Sequence, residues 1–248
     1  MRIPRIFTGQ DITAGVIVQL EAGASAHLSR ALRLSVGDSL CLFNGSGREW
    51  PCQISSIDKK QVAVTPAEPL LRDLESPLKI HLGIAISRGD RMDMVIQKST
   101  ELGVTTITPL LTERTEVKLK GEREQKKLQH WRQITISACE QSGRNTLPEL
   151  HSPRPVGQWL QDRDGEQRFV LHHRGAEGLN TATAPASVDL LIGPEGGLTP
   201  DEIDAAAGHG FQPLTLGPRV LRTETAPLAA IAILQARWGD MNPSGKAD

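Results

Sequence analysis

The sequence predicts an α/β protein: a domain built on a mostly parallel sheet, preceded by a small β-rich domain. Three observations carry this. From residue 79 onward, strand-like and helix-like segments alternate, the pattern of a parallel sheet covered by helices. Before residue 70, short strands follow one another with turn residues between them. The chain has 248 residues, enough for two modest domains, and with no Tyr and few aromatics its core must be mainly aliphatic.

In order along the chain, "GVIVQL" and "DSLCLF" are strand-like, and "NGSG" at 44–47 is a hairpin signal. "EWPCQISSI" and "QVAVTPA" are further strands. The segment "SAHLSRALRL" predicts one short helix, with Leu28, Ala31 and Leu32 as its apolar stripe and Arg30 and Arg33 off it. "EPLLRDLESPLK" reads as a linker. The division expected is therefore 1–72 and 73–240.

"KIHLGIAI" is the first strand of the second domain. "GDRMDMVIQKSTELGV" is a helix with acids in its first turn, buried positions at Met92, Val95, Ile96 and Leu102, and Gly103 as its stop. "TTITPLL" is a strand, and a long helix runs from Glu122 to about Ser142. "RFVLHH" and "VDLLIG" are strands. "LTPDEIDAAAGHG" is a helix with Thr199 as N-cap, Pro200 at N1 and Glu202 at N3, a capping box. "PLTLG" is the last strand, and "TAPLAAIAILQARWG" is a helix apolar almost all round. The tail from 240 is expected to be loose.

Formal net charge is −1, which excludes a strongly basic nucleic-acid wrapper but not a local RNA-binding patch. Cys41, Cys52 and Cys139 are scattered and odd in number, so neither a disulfide framework nor a metal cluster is expected. No signal segment opens the chain and no run is long enough to span a membrane, so the expected location is the cytoplasm.

Ligands of parallel sheets bind beyond the carboxyl ends of the strands. Three strand ends there are informative: "VLHHRG", "LIGPEGG" and "LGPRVLRTETA". In the second, Gly193, Gly196 and Gly197 allow close approach of backbone to a ligand, although a tight strand-to-helix turn needs the same glycines. Neither "GxxxxGK[ST]" nor "GxGxxG" is present, so a triphosphate or a dinucleotide is not expected. In the third, Arg219 and Arg222 precede a helix start with Thr223, Thr225 and Pro227, a place that favours an anionic group. Lys98 and Glu101, in "KSTELG", lie near a helix end. Arg144 and Asn145 suit phosphate and base edges, or form an ordinary polar helix exit. His172 and His173 point to opposite faces of a strand and have no third ligand, so metal is not expected. With no nucleophile elbow and no paired carboxylates, group transfer from an activated cofactor is the chemistry that fits.

Together "RIF", "HLSRALR", "STELGV", "EQSGR", "IGPEGGLTPDE" and "LGPRVLRTETA" resemble the uridine-N3 methyltransferases of small-subunit (16S) ribosomal RNA, in the SPOUT class, over nearly the whole chain. The resemblance implies a PUA-like β-barrel, then an α/β domain with a trefoil knot and helices on both faces of its sheet. It implies a homodimer acting on ribosomal RNA or the small ribosomal subunit, with S-adenosyl-L-methionine as cofactor. The cofactor site it implies comprises Leu171, His172, Ile192, Gly193, Pro194, Gly196, Gly197, Leu216, Gly217, Val220, Leu221, Thr223 and Ala226. The missing lysine then has a reason, since this cofactor carries no phosphate. Arg222 is the expected cation for a uracil anion, and Glu195 either the base or an orienting group. Arg2, Arg5, Arg30, Arg33, Arg144 and Asn145 are expected to meet RNA. The alternatives are a ribose 2′-O-methyltransferase on the same scaffold and a non-catalytic RNA-binding protein.

Overall fold

The computed structural model describes residues 3–58, 61–117, 119–172, 179 and 183–241. Arg2, His173 and most of the tail fall outside the described residues. The chain forms two compact units, Met1–Glu75 with Ile136–Leu147, and Ser76–Thr135 with Pro148–Asp248.

The first unit is a curled sheet. Its strands are β1 (Arg5–Phe7), β2 (Val18–Gln19), β3 (Ser39–Phe43), β4 (Arg48–Asp58), β5 (Gln61–Pro66) and β6 (Leu70–Leu71). They run in the order β1-β3-β4-β5-β2, with β6 on β4. The alternation in β4 buries Trp50, Cys52 and Ile54 in one aliphatic core with Leu40, Leu42, Val62 and Val64. The segment expected to be a linker thus supplies a short strand. The short helix also differs from expectation. α1 (Ala22–Ala26) passes into a π-helical turn at His27–Ala31, where Leu32 N donates to His27 O. The wider turn buries Leu28 but leaves Ala31 and Leu32 exposed.

The second unit holds β7 (Lys79–Ala85), α2 (Asp90–Glu101), β8 (Thr106–Leu111), α3 (Glu122–Ser142), β9 (Glu149–Leu150), β10 (Arg154–Pro155), α4 (Val156–Gln161), β11 (Gln167–Leu171), β12 (Ser187–Ile192), α5 (Pro200–Gly208), β13 (Gln212–Leu214) and α6 (Thr225–Trp238). The last residues of α3, from Ile136, belong to the first unit. The strand order is β10-β8-β7-β12-β11-β13, with β9 on β8, and every pairing among them is parallel. Successive side chains of β12 show why both faces need cover. Leu190 packs in a core with Met92, Val95, Trp131, Ile231 and Leu234, whereas Leu191 packs with Trp159, Leu160, Ala206 and Phe211. Helices α2, α3 and α6 therefore cover one face, and α4 and α5 the other.

Two polar clamps hold these helices. Asp93 of α2 accepts from His130 Nε2 at 2.6 Å, Trp131 Nε1 at 3.0 Å and Lys127 Nζ at 3.3 Å, all on α3. Burial alone would raise its pKa, but the His130 hydrogen bond and the Lys127 charge outweigh that and hold the carboxyl below its ordinary range. At the start of α5 the expected capping box is complete: Glu202 N donates to Thr199 Oγ1, and Thr199 N donates to Glu202 Oε2. The other oxygen, Oε1, accepts from Glu113 N at 2.9 Å, tying the loop after β8 to the same helix start.

Candidate active site

The carboxyl ends of β11, β12 and β13 open onto one cavity of about 310 Å³. A parallel sheet exposes its loops there, and the three ends meet because β11 lies between β12 and β13. The backbone links them directly. His172 N donates to Leu214 O at 3.1 Å, and Thr215 Oγ1 donates to His172 O at 3.1 Å. Gly197 has φ +70° and closes a turn by donating to Pro194 O at 2.8 Å, and Gly217 has φ +81°. Only glycine enters that region freely. Gly193 is required for a different reason: a Cβ there would lie 2.9 Å from Leu198 Cγ and 3.0 Å from Leu198 N.

Every residue named from sequence for the cofactor lines this cavity. Its walls are the apolar side chains of Leu171, Ile192, Leu216 and Leu221 and the main chain of the two glycine turns. Such a lining suits a small ligand with an aromatic base, whose edges can pair with N–H and C=O groups. Arg114, Leu198, Leu214, Thr215 and Arg219 also line it. Arg114 was not foreseen. It lies just beyond the end of β8, so the strand-end rule that singled out the glycine loops would have found it. Its Nη1 donates to Gly196 O at 2.7 Å, bracing the glycine turn.

The two expected catalytic residues lie differently. Glu195 lines the cavity, but its Oε1 accepts from Arg91 Nη1 at 3.1 Å. Arg222 is exposed and its side chain is not part of the cavity wall. Its carbonyl accepts from Thr225 N and Ala226 N, both at 2.9 Å, and so shapes the entry to α6.

The residues expected to meet RNA divide sharply. Arg30 and Arg33 are exposed. Arg5, Arg144 and Asn145 each have side-chain partners within the first unit. Arg144 is 4% exposed, with Nε donating to Glu75 Oε1 at 3.0 Å and Nη2 paired with the other oxygen. Arg5 pairs with Glu49 and with Asn145 Oδ1, and Asn145 Nδ2 donates to Arg72 O at 3.1 Å. A buried guanidinium must be paired, so these groups hold the fold instead of presenting charge. Lys98 and Glu101 pair with each other at 2.8 Å. Burial pushes the Cys139 thiol up to about 12, which fits its reading as a core residue and not a nucleophile.

Residues 74–235 match the model of an RNA methyltransferase domain, and residues 20–67 that of an RNA methyltransferase PUA domain. The chain belongs to the RNA methyltransferase family. Within that family it is 36% identical, over 96% of its length and 95% of the relative's, to the ribosomal RNA small subunit methyltransferase E of Buchnera aphidicola from Acyrthosiphon pisum. The protein of the same name from Bacillus subtilis is 33% identical over 84% of this chain and 85% of its own. Among solved structures, a methyltransferase from Legionella pneumophila in complex with the cofactor SAM is 46% identical, with TM-score 0.94, over 97% of this chain and 100% of that one. The Neisseria gonorrhoeae ribosomal RNA small subunit methyltransferase E, bound to S-adenosyl methionine, is 40% identical, with TM-score 0.92 and the same coverage.

Proposed function

We propose that this protein transfers a methyl group from S-adenosylmethionine to N3 of a uridine in small-subunit ribosomal RNA. The observation that carries the reading is the cavity at the ends of β11, β12 and β13, lined by two glycine turns and aliphatic side chains together with polar groups such as Arg114, His172 and Glu195. It fits the cofactor in kind: an adenine can lie between apolar side chains and pair with backbone, and close approach is possible where Gly193, Gly196 and Gly197 carry no Cβ. Relatives that carry bound S-adenosylmethionine at TM-scores above 0.9 support the same reading.

When bound, the cofactor supplies a methyl group already made electrophilic by its sulfonium. The chain therefore has no covalent step to perform. Its turns fix one partner, its apolar walls keep water out, and its surface must hold the uracil ring in line. The N3 proton has to leave, and a cation nearby would favour the resulting anion. Arg222 is proposed for that role and would turn toward the ring from its exposed position. Glu195, which lines the cavity and pairs with Arg91, is proposed to take the proton or to orient its loop. Arg30 and Arg33 are proposed to contact the RNA backbone from the PUA-like unit. The homodimer, the knotted path and the cytoplasmic location implied by the resemblance are parts of the same proposal. No helix among the described residues is long and apolar enough to cross a membrane.

The test is methylation of small ribosomal subunits from a strain lacking the activity, read by nucleoside mass spectrometry. A 3-methyluridine product is expected, and a ribose-methylated nucleoside overturns the assignment. Arg222→Ala should slow transfer by about 100-fold or more with S-adenosylmethionine affinity kept. Unchanged turnover removes Arg222 from the mechanism. Gly193→Ala, which forces Leu198 to shift, should weaken S-adenosylmethionine binding by about tenfold or more in calorimetry.

A further inference from the structure

Beside the cofactor cavity lies a second hollow of about 520 Å³, lined by Arg88, Arg91, Arg114, Thr115 and the carboxylates Glu113, Glu116 and Glu195 with Gly196. Arg114, Glu195 and Gly196 belong to both. The two hollows are therefore contiguous across the glycine turn. The second is built at the ends of three neighbouring strands: Arg88 follows β7, Arg114 follows β8 and Glu195 follows β12, and these strands stand in the order β8-β7-β12.

The guanidinium groups are held by weak partners. Arg88 pairs with Glu116, with side-chain exposures of 67% and 61%. Arg91 reaches Glu195 at 3.1 Å and Glu224 at 3.9 Å and is itself 45% exposed. Ion pairs this open contribute little to stability, so their partners can be exchanged without disturbing the fold. Phosphate is the ligand chemistry that exchanges best, because a guanidinium fork meets two of its oxygens at once.

We propose that this hollow is a subsite for the RNA backbone next to the target nucleotide, in which Arg88 and Arg91 leave Glu116 and Glu195 to bind phosphate. The inference rests on the methyltransferase reading above. A base presented to the cofactor cavity carries its own phosphates within one nucleotide's reach, and the second hollow begins where the first ends. The carboxylates also have a use in this arrangement. They occupy the arginines when RNA is absent, so a protein of formal net charge −1 does not hold any polyanion it meets. Release of Glu195 from Arg91 would also free the turn that lines the cofactor cavity, coupling the two ligands reciprocally.

The test measures binding of small ribosomal subunits across a salt series, with S-adenosylmethionine affinity measured separately by calorimetry. Arg88→Ala with Arg91→Ala should weaken binding by about tenfold or more and flatten the slope of log affinity against log salt by about 1.4, two contacts at about 0.7 each. Glu116→Gln should act in the opposite direction, tightening binding by leaving Arg88 unpaired. Unchanged affinity and slope in the double variant, or weaker binding in Glu116→Gln, overturns the subsite. Failure of the unaltered protein to bind S-adenosylmethionine would overturn the methyltransferase reading instead, so the two failures are distinguishable.

Discussion

Trp159→Ala is expected to lower the stability of the methyltransferase unit by about 3–5 kcal/mol, and its melting temperature by roughly 6–20 °C. Trp159 is fully buried on α4 and packs against Phe211, with ring centroids 5.6 Å apart. It reaches β7 only because residue 83 is glycine. A Cβ at Gly83 would lie 2.6 Å from both Cη2 and Cζ2 of the indole. Two further expectations follow from that single contact. Gly83→Ala alone should destabilise by about 1–3 kcal/mol through overpacking. In the Trp159→Ala background the same change should cost much less, because the clashing ring is gone, giving a coupling of about 1 kcal/mol or more. Urea unfolding of the two single variants and the double variant measures this. Strict additivity would show that the indole and the glycine do not meet.

This contact also marks where the sequence stopped being readable. Helix α4 has six residues with Gly157 inside it, too short and too irregular to show a helical period. The capped α5 and the long α3 were legible because their signals are local. A Thr-Pro-x-Glu start and repeated apolar spacing depend on nothing distant. The glycine turns at 193–197 and 217 were legible for a related reason. A strand end followed by glycines predicts a ligand-facing loop without knowledge of which strands are neighbours. What local reading could not supply was the partner of each charge. Arg144 and Asn145 look like free RNA-binding groups until Glu75, Glu49 and Arg5 are found around them. Glu195 looks like a free base until Arg91, more than a hundred residues earlier, is found beside it. Both cases turn on tertiary contacts between segments far apart in sequence, which periodicity does not encode.

Acidification below pH 6.5 should destabilise the protein well before its surface carboxylates titrate, and His81 is the reason. Burial, followed by the charge of Arg163 and smaller contributions from His151 and Arg154, lowers its pKa from 6.5 to about 3. The hydrogen bonds explain the resistance to a second proton. An arginine can only donate, so the Arg163 guanidinium against Nδ1 requires a lone pair there. Nε2 lies 2.8 Å from Thr108 Oγ1 and also faces an N–H donor, Trp159 Nε1 at 3.3 Å, and the Thr108 hydroxyl lies 3.1 Å from His151 Nδ1. A proton added to Nδ1 would face the guanidinium. Asp189 Oδ1, at 3.8 Å from Nδ1, is too far to accept a hydrogen bond. The unfolded chain binds a proton on this histidine from pH 6.5 downward, while the native state does not until about pH 3. Stability is therefore complete above pH 6.5 and falls through that window, by up to about 1.4 kcal/mol per pH unit. Asp189 acts in the opposite sense, since burial raises its carboxyl above 3.8 and the native state gains its proton first. The observed fall is the histidine's loss less that gain. Urea midpoints measured at pH 7.5, 6.5 and 5 should fall steadily below 6.5 in the unaltered protein. His81→Gln, which removes the titration while keeping a side chain able to donate and accept, should show a flatter profile. An equal fall in both would mean that the acid sensitivity lies elsewhere.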